Sequence, residues 1–156
     1  MGTLPSELAL LPKLHILDLQ GNELTGSIPT EFGIMGELLN LALHFNDLTG
    51  TIPEELYNMT KLTRLNLGFN DLSGTLSTKV GNLQTLLGLF IYDQDTGLNG
   101  TIPTEIGLLK NVQNMRLHGN EFTGIIPTEL GNLTSLVNLF LKQNFLQGTF
   151  PVEVGK

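Results

Sequence analysis

From Leu14 to Asn22 the chain runs LHILDLQGN, in which Leu17 and Leu19 alternate with Asp18 and Gln20. Apolar side chains at every second residue describe a short strand with one face buried and the other in water. After Asn22 come a leucine, a glycine and then the phrase Pro-x-Glu, as in ELTGSIPTEFG. Proline at a first helical position and glutamate near the positive end of the helix dipole predict a helical turn opening at Pro29. The pair of elements then recurs. The glycine of the phrase G-x-h-P, with h apolar, falls at Gly2, Gly26, Gly50, Gly74, Gly100, Gly124 and Gly148, so the spacings are 24, 24, 24, 26, 24 and 24 residues. Asn22, Asn46, Asn70, Asn120 and Asn144 follow an L-x-L pair in the same phase.

A strand and a helical turn within 24 residues cannot bury their apolar faces alone, so successive units must stack, strand beside parallel strand. Stacking aligns columns: Leu17, Leu41, Leu65, Leu89, Met115 and Leu139; Leu19, Leu43, Leu67, Ile91, Leu117 and Leu141; and Ile28, Ile52, Leu76, Ile102, Ile126 and Phe150. The asparagine column is read as structural, since a buried amide must be hydrogen-bonded and can tie the backbone where each unit turns. The expectation is an α/β solenoid forming a single array over 1–156. It has about six 24-residue units, one lengthened to 26, and it starts and stops mid-repeat as though cut from a longer array. The lengthened unit, IYDQDTGLNGTIP from Ile91 to Pro103, lacks the asparagine and carries two extra residues, with Gln94 or Thr96 available as substitutes. Just before it, Leu76-Ser77-Thr78-Lys79 replaces I-P-x-E.

Composition narrows the functions. Asp plus Glu total 15 against 8 for Lys plus Arg, and a net charge of −7 argues against sequence-independent binding of nucleic acid or anionic lipid. Cysteine is absent, which excludes a disulfide scaffold and thiolate metal sites. No apolar run has the length of a membrane span, and MGTLPSELALL lacks the features of a signal peptide. His44 and His118 share a column but stand three units apart, roughly 15 Å at about 5 Å per strand, too far to share a metal. No serine sits in a nucleophile-elbow phrase and there is no phosphate loop, so no catalytic residue, metal or cofactor is assigned.

Ten of the fifteen carboxylates lie in two columns. Glu7, Glu31, Glu55, Glu105, Glu129 and Glu153 follow the proline position, and Glu23, Asp47, Asp71 and Glu121 follow the asparagine. The first column suits helix dipoles, and exposed carboxylates one step apart tolerate one another in water. The stretch Asp93-Gln94-Asp95-Thr96-Gly97 opens like a calcium loop, but Leu98 stands where such a loop needs glycine and Thr104 where it needs glutamate. Asn58, Asn99 and Asn132 begin Asn-x-Thr sequons and are the possible glycosylation sites.

LDLQGNELTGSIPTEFG and LNLGFNDLSGT resemble the plant-type leucine-rich repeat, L-x-x-L-x-L-x-x-N-x-L-t-G-x-I-P, over essentially the whole chain. The resemblance implies a right-handed superhelix with a parallel sheet on its concave side, short 3-10 or α-helical segments on the convex side, and an added strand or turn at L-t-G-x-I-P. It further implies a non-enzymatic recognition module of a receptor-like or secreted protein, placed outside the cell or at its surface. The partner it implies is a protein or peptide, or else a carbohydrate. Side chains alternating outward from the strands should form the concave face. There Phe90, Tyr92, Arg116, His118, Phe140 and Lys142, with Asp93 at the rim, give an aromatic and basic patch on an acidic chain, the residue types that dominate binding hot spots. The alternatives are a structural or inhibitor repeat, and an ice-binding surface made by Thr25, Ser27, Thr49, Thr51, Ser73, Thr75, Asn99 and Thr101 on the flank, a row that Ile125 and Gln147 interrupt.

Overall fold

The computed structural model describes residues 2–149; Phe150, Glu153 and the rest of 150–156 lie outside the described residues. Each L-x-L phrase forms a three-residue strand: Ile16–Asp18, Asn40–Ala42, Arg64–Asn66, Gly88–Phe90, Asn114–Arg116 and Asn138–Phe140. They join in chain order into one six-stranded parallel sheet. Register follows the repeat, with Leu17 opposite Leu41, Leu41 opposite Leu65, Leu65 opposite Leu89, Leu89 opposite Met115, and Met115 opposite Leu139. Equal unit lengths bring identical strand positions together, so the apolar side chains of each column meet in a continuous core. In the middle of the array Leu41, Leu65, Leu89, Met115, Leu43, Leu67, Ile91 and Leu117 are wholly buried. Leu19, Leu139 and Leu141 pack against that core while staying partly exposed.

The L-t-G-x-I-P phrase supplies the second layer. Gly2–Thr3, Leu24–Gly26, Asp47–Thr51 and Asp71–Ser73 form a four-stranded parallel sheet along the flank. Single bridges, Thr75 to Asn99, Thr101 to Thr123 and Ile125 to Gln147, carry that line onward.

On the opposite side run five-residue 3-10 helices: Ser6–Leu10, Thr30–Ile34, Glu54–Asn58, Thr78–Asn82, Thr104–Leu108 and Thr128–Asn132. The proline stands one place earlier than the sequence predicts. Pro29, with φ −64° and ψ 136°, is the extended residue before the first turn and not its first helical residue. Pro5, Pro53, Pro103 and Pro127 do the same. The physical reason is length: a 24-residue unit leaves room for a single tight turn, and proline's fixed φ serves as well in the extended arm that enters it. Where Ser77 replaces proline, its hydroxyl oxygen accepts the Lys79 backbone N–H at 3.2 Å, so a side-chain hydrogen bond supplies the entry that ring rigidity supplies elsewhere.

The asparagine column is a hydrogen-bonded ladder. The Asn70 amide nitrogen donates to the carbonyl of Leu67 in its own unit and of Leu43 in the preceding one, both at 3.1 Å, while its oxygen accepts the Leu48 N–H at 3.0 Å. Asn46 and Asn120 repeat the pattern. In the lengthened unit Gln94 takes the same place. Its nitrogen donates to the Leu67 carbonyl at 2.9 Å and its oxygen accepts the Leu72 N–H at 3.1 Å. The two extra residues therefore fall after the ladder, between Gln94 and Leu98. They are held by the Asp95 N–H on the Asn70 carbonyl at 2.9 Å and by the Thr96 N–H and hydroxyl, both donated to Asp71 Oδ1.

Candidate functional site

The strand residues between the core leucines, with the two that follow each strand, build the concave face, and the structure fixes where each predicted residue lies on it. Phe90, Arg116 and Phe140 share one register row, since Phe90 pairs with Arg116 and Arg116 with Phe140. Arg116 is exposed and its guanidinium carbon lies 5.7 Å from the Phe90 ring centre, 5.8 Å from Tyr92 and 5.4 Å from Phe140. At these separations a cation is attracted to the ring faces, so the three rings hold the guanidinium in place without neutralising it.

Tyr92 and His118 were expected to project freely and do not: they are 8% and 9% exposed. Gly68, one strand back, explains Tyr92, because the tyrosine ring occupies the space where any side chain at that glycine would stand. The His118 ring stacks on Tyr92 with centres 4.8 Å apart and planes inclined by 23°. Its Nε2 lies 3.5 Å from Asp93 Oδ2. Gly119 allows that approach: its φ is 62°, and a side chain would strike the Asp93 carboxylate. Burial holds the His118 imidazole below the ordinary histidine value against the pull of Asp93, with Lys142 and Arg116 pushing the same way as burial. Lys142 is exposed at the next strand's end. The seven predicted residues thus form one cluster of two parts, a stacked support of Tyr92, His118 and Asp93 and an outward set of Phe90, Arg116, Phe140 and Lys142.

Three further side chains, not evident from the pairs between core leucines, join the cluster. Arg64 stands 5.0 Å from the Phe90 ring centre, so two guanidiniums flank one phenyl group. Beside it a cleft of about 310 Å³ is lined by Asn40, Thr63, Leu87, Gly88, Gln113 and Asn114. Phe45 and Phe69 stack at 4.4 Å with planes 11° apart, and Phe69 meets Tyr92 edge-on at 5.3 Å. The rings thus form a chain from Phe45 through Phe69, Tyr92 and His118 to Phe140. Phe45 and Phe69 sit immediately before the ladder asparagine, at φ 57° and 51°, in a column whose other members are Gly21, Asp93, Gly119 and Gln143, all with positive φ. The signal was the column itself: a place that takes glycine for backbone reasons twice carries a phenyl group.

Asn58, Asn99 and Asn132 are all exposed, the first and last at the ends of 3-10 helices and Asn99 on the flank. Among the described residues no helix is long and apolar enough to cross a membrane.

The Leucine Rich Repeat family profile matches residues 13–35, 61–83 and 111–133. Comparison with curated protein sequences gives no match. Among solved structures, the plant peptide hormone receptor RGFR1, in complex with RGF2, is 38% identical with a TM-score of 0.95 over 99% of this chain and 24% of that one. The Arabidopsis receptor kinase HAESA, in complex with the peptide hormone IDA and the co-receptor SERK1, is 34% identical with a TM-score of 0.92, covering 96% of this chain and 25% of that one. A plant ice-binding protein is 29% identical with a TM-score of 0.85, covering 96% and 48%. The chain spans about a quarter of the length of the two receptors it matches. Agreement in the repeat profile and in sequence over nearly every residue shows that the chain belongs to the plant-type leucine-rich-repeat family.

Proposed function

We propose that the concave face recognises a peptide or protein segment bearing a carboxylate beside an aromatic or apolar group, within a receptor-like protein that works outside the cell. The observation that carries this is the state of Arg116. It is exposed among three rings, with Arg64 sharing one of them, and among the described residues the ion pairs are Lys61 with Glu37, Lys79 with Glu54 and His118 with Asp93, so neither guanidinium has a carboxylate partner. An arginine left uncompensated on a chain of net charge −7, already oriented by aromatic contacts, is arranged to bind an incoming anion with two parallel hydrogen bonds. The stack of Tyr92 on His118 makes the floor beneath it rigid, which reduces the ordering cost of binding. Receptors bound to peptide hormones among the similar structures support the same ligand class, and their ectodomain character supports the compartment.

Fluorescence anisotropy tests this with labelled twelve-residue peptides that differ only in carrying Asp-Phe or Lys-Phe at the centre. The acidic peptide should bind the wild type and lose at least tenfold in affinity with Arg116→Ala; equal binding of both peptides, or no loss in the variant, contradicts the proposal.

A second reading, ice binding, draws on the ice-binding protein among the similar structures and on the hydroxyl rows of the flank. Against it, several hydroxyls are engaged by backbone: Thr123 donates to the Gly100 carbonyl at 3.2 Å, and Thr25 and Ser73 donate to Gly2 and Gly50 at 3.5 Å. Ile125, 68% exposed, breaks the row. A freezing-hysteresis measurement separates the two readings.

A further inference from the structure

A second surface lies on the other side of the lengthened loop from Arg116. Its floor is the stacked pair Phe45 and Phe69, 50% and 39% exposed. Its wall is the carboxylate column Glu23, Asp47 and Asp71, extended by Asp95 from the inserted residues. Together with Asn22, Asn46, Asn70 and Thr49 they enclose a groove of about 550 Å³ between the end of the concave sheet and the flank sheet. We propose that this groove binds an arginine-bearing, extended peptide segment lying along the solenoid axis.

Three observations select that occupant. The rings are not there for the core: they are exposed, and the same column is filled by Gly21 and Gly119 in other units without loss of the fold. The wall is uncompensated, since none of the ion pairs among the described residues involves Glu23, Asp47, Asp71 or Asp95, and Asp71 accepts hydrogen bonds only from Thr96. Finally, Phe45 and Phe69 turn one face to each other, which leaves the outer face of Phe45 towards the open position at Gly21, and an aromatic face beside carboxylates is complementary to one side chain in particular. A guanidinium stacks flat on an aromatic ring while its edge donates two hydrogen bonds to a carboxylate, which the compact, strongly hydrated ammonium of lysine does less well. The carboxylates repeat once per unit, roughly 5 Å apart, and alternate side chains of an extended peptide repeat at about 6.7 Å, a mismatch the long arginine stem absorbs. The inserted residues gain a role here. Asp95 adds a carboxylate at the groove's end, and the Thr96 bonds fix Asp71 in position.

Phe69 touches Tyr92 of the Arg116 cluster, but this groove requires a cationic ligand and that cluster an anionic one, so the charge of the bound peptide tells the two assignments apart. The probe is an end-blocked, fluorescein-labelled Gly-Arg octapeptide, with Gly-Lys and Gly-Glu counterparts, titrated by anisotropy against the folded chain at 0.15 M salt. Phe45→Gly with Phe69→Gly removes the floor at positions where glycine already serves the backbone, and circular dichroism verifies folding. Glu23→Gln with Asp47→Asn neutralises the wall, and Glu31→Gln with Glu129→Gln removes the same charge from the 3-10 helices. The arginine peptide should bind several-fold more tightly than the lysine one, lose about tenfold in each groove variant and keep its affinity in the helix variant. Equal losses in groove and helix variants, equal affinity for arginine and lysine peptides, or indifference to the loss of both rings overturns the proposal.

Discussion

Asn70 shows how one side chain carries a repeat. Its amide serves two carbonyls and one N–H across two consecutive units, all of them buried. Replacing it with alanine strands those groups at roughly 1–3 kcal/mol each, so Asn70→Ala should lose at least about 3 kcal/mol in urea denaturation; a loss under about 1 kcal/mol would show that the ladder is dispensable. His44 and His118 are held below the ordinary histidine value by burial first. Below that ordinary value the unfolded chain binds protons that the folded chain refuses. Stability is therefore full near neutrality and falls as pH drops from about 6.5 through the lower folded values. The urea midpoint should fall between pH 7.5 and 5.5 by less in a His44→Gln, His118→Gln double variant than in the wild type, and an equal fall in both would contradict this. Residue roles of the ladder kind were legible in the sequence because asparagine recurred in phase. The burial of Tyr92 and His118 was not, because it depends on Gly68 leaving space in the neighbouring unit and on a stack between units, neither of which alternation along one strand reveals.

At the scale of the element, the period alone specified the parallel strands and their register, since equal spacing leaves only one way for identical positions to meet. The entry to each helix was displaced by one residue because proline suits both an extended arm and a first helical position, and only the length of the turn distinguishes them. The irregular unit is the sharper case. Gln94 keeps the ladder with one more methylene, and the two extra residues rest on backbone and on Asp71 without entering the core. Deleting Asp95 and Thr96 together with Gln94→Asn restores a regular unit and should change stability by under about 1.5 kcal/mol, the worth of the exposed hydrogen bonds lost, because shortening a loop by two residues changes closure entropy little. A loss above about 3 kcal/mol in thermal or urea unfolding would mean that the insertion is part of the core.

Across the whole molecule the charges are sorted and not scattered. A chain of net charge −7 carries Arg64, Arg116 and Lys142 on the concave face of its middle and later units, and an uncompensated carboxylate wall beside Phe45 and Phe69 on its earlier ones. The patch around Arg116 was visible in the sequence as a change in the residues between core leucines. Arg64 was hidden because it opens its strand, one step outside the central pair of each unit, and Phe45 and Phe69 because they stand three residues past their strands and meet only once the units are stacked. Exposed aromatic and arginine side chains are the residue types enriched at binding hot spots. The most direct test is an amide and side-chain chemical-shift map of the isotopically labelled chain titrated with the acidic Asp-Phe peptide. The largest shifts should fall at Arg64, Phe90, Tyr92, Asp93, Arg116, His118, Phe140 and Lys142; shifts confined to the threonine flank or to the 3-10 helices would contradict recognition by the concave face.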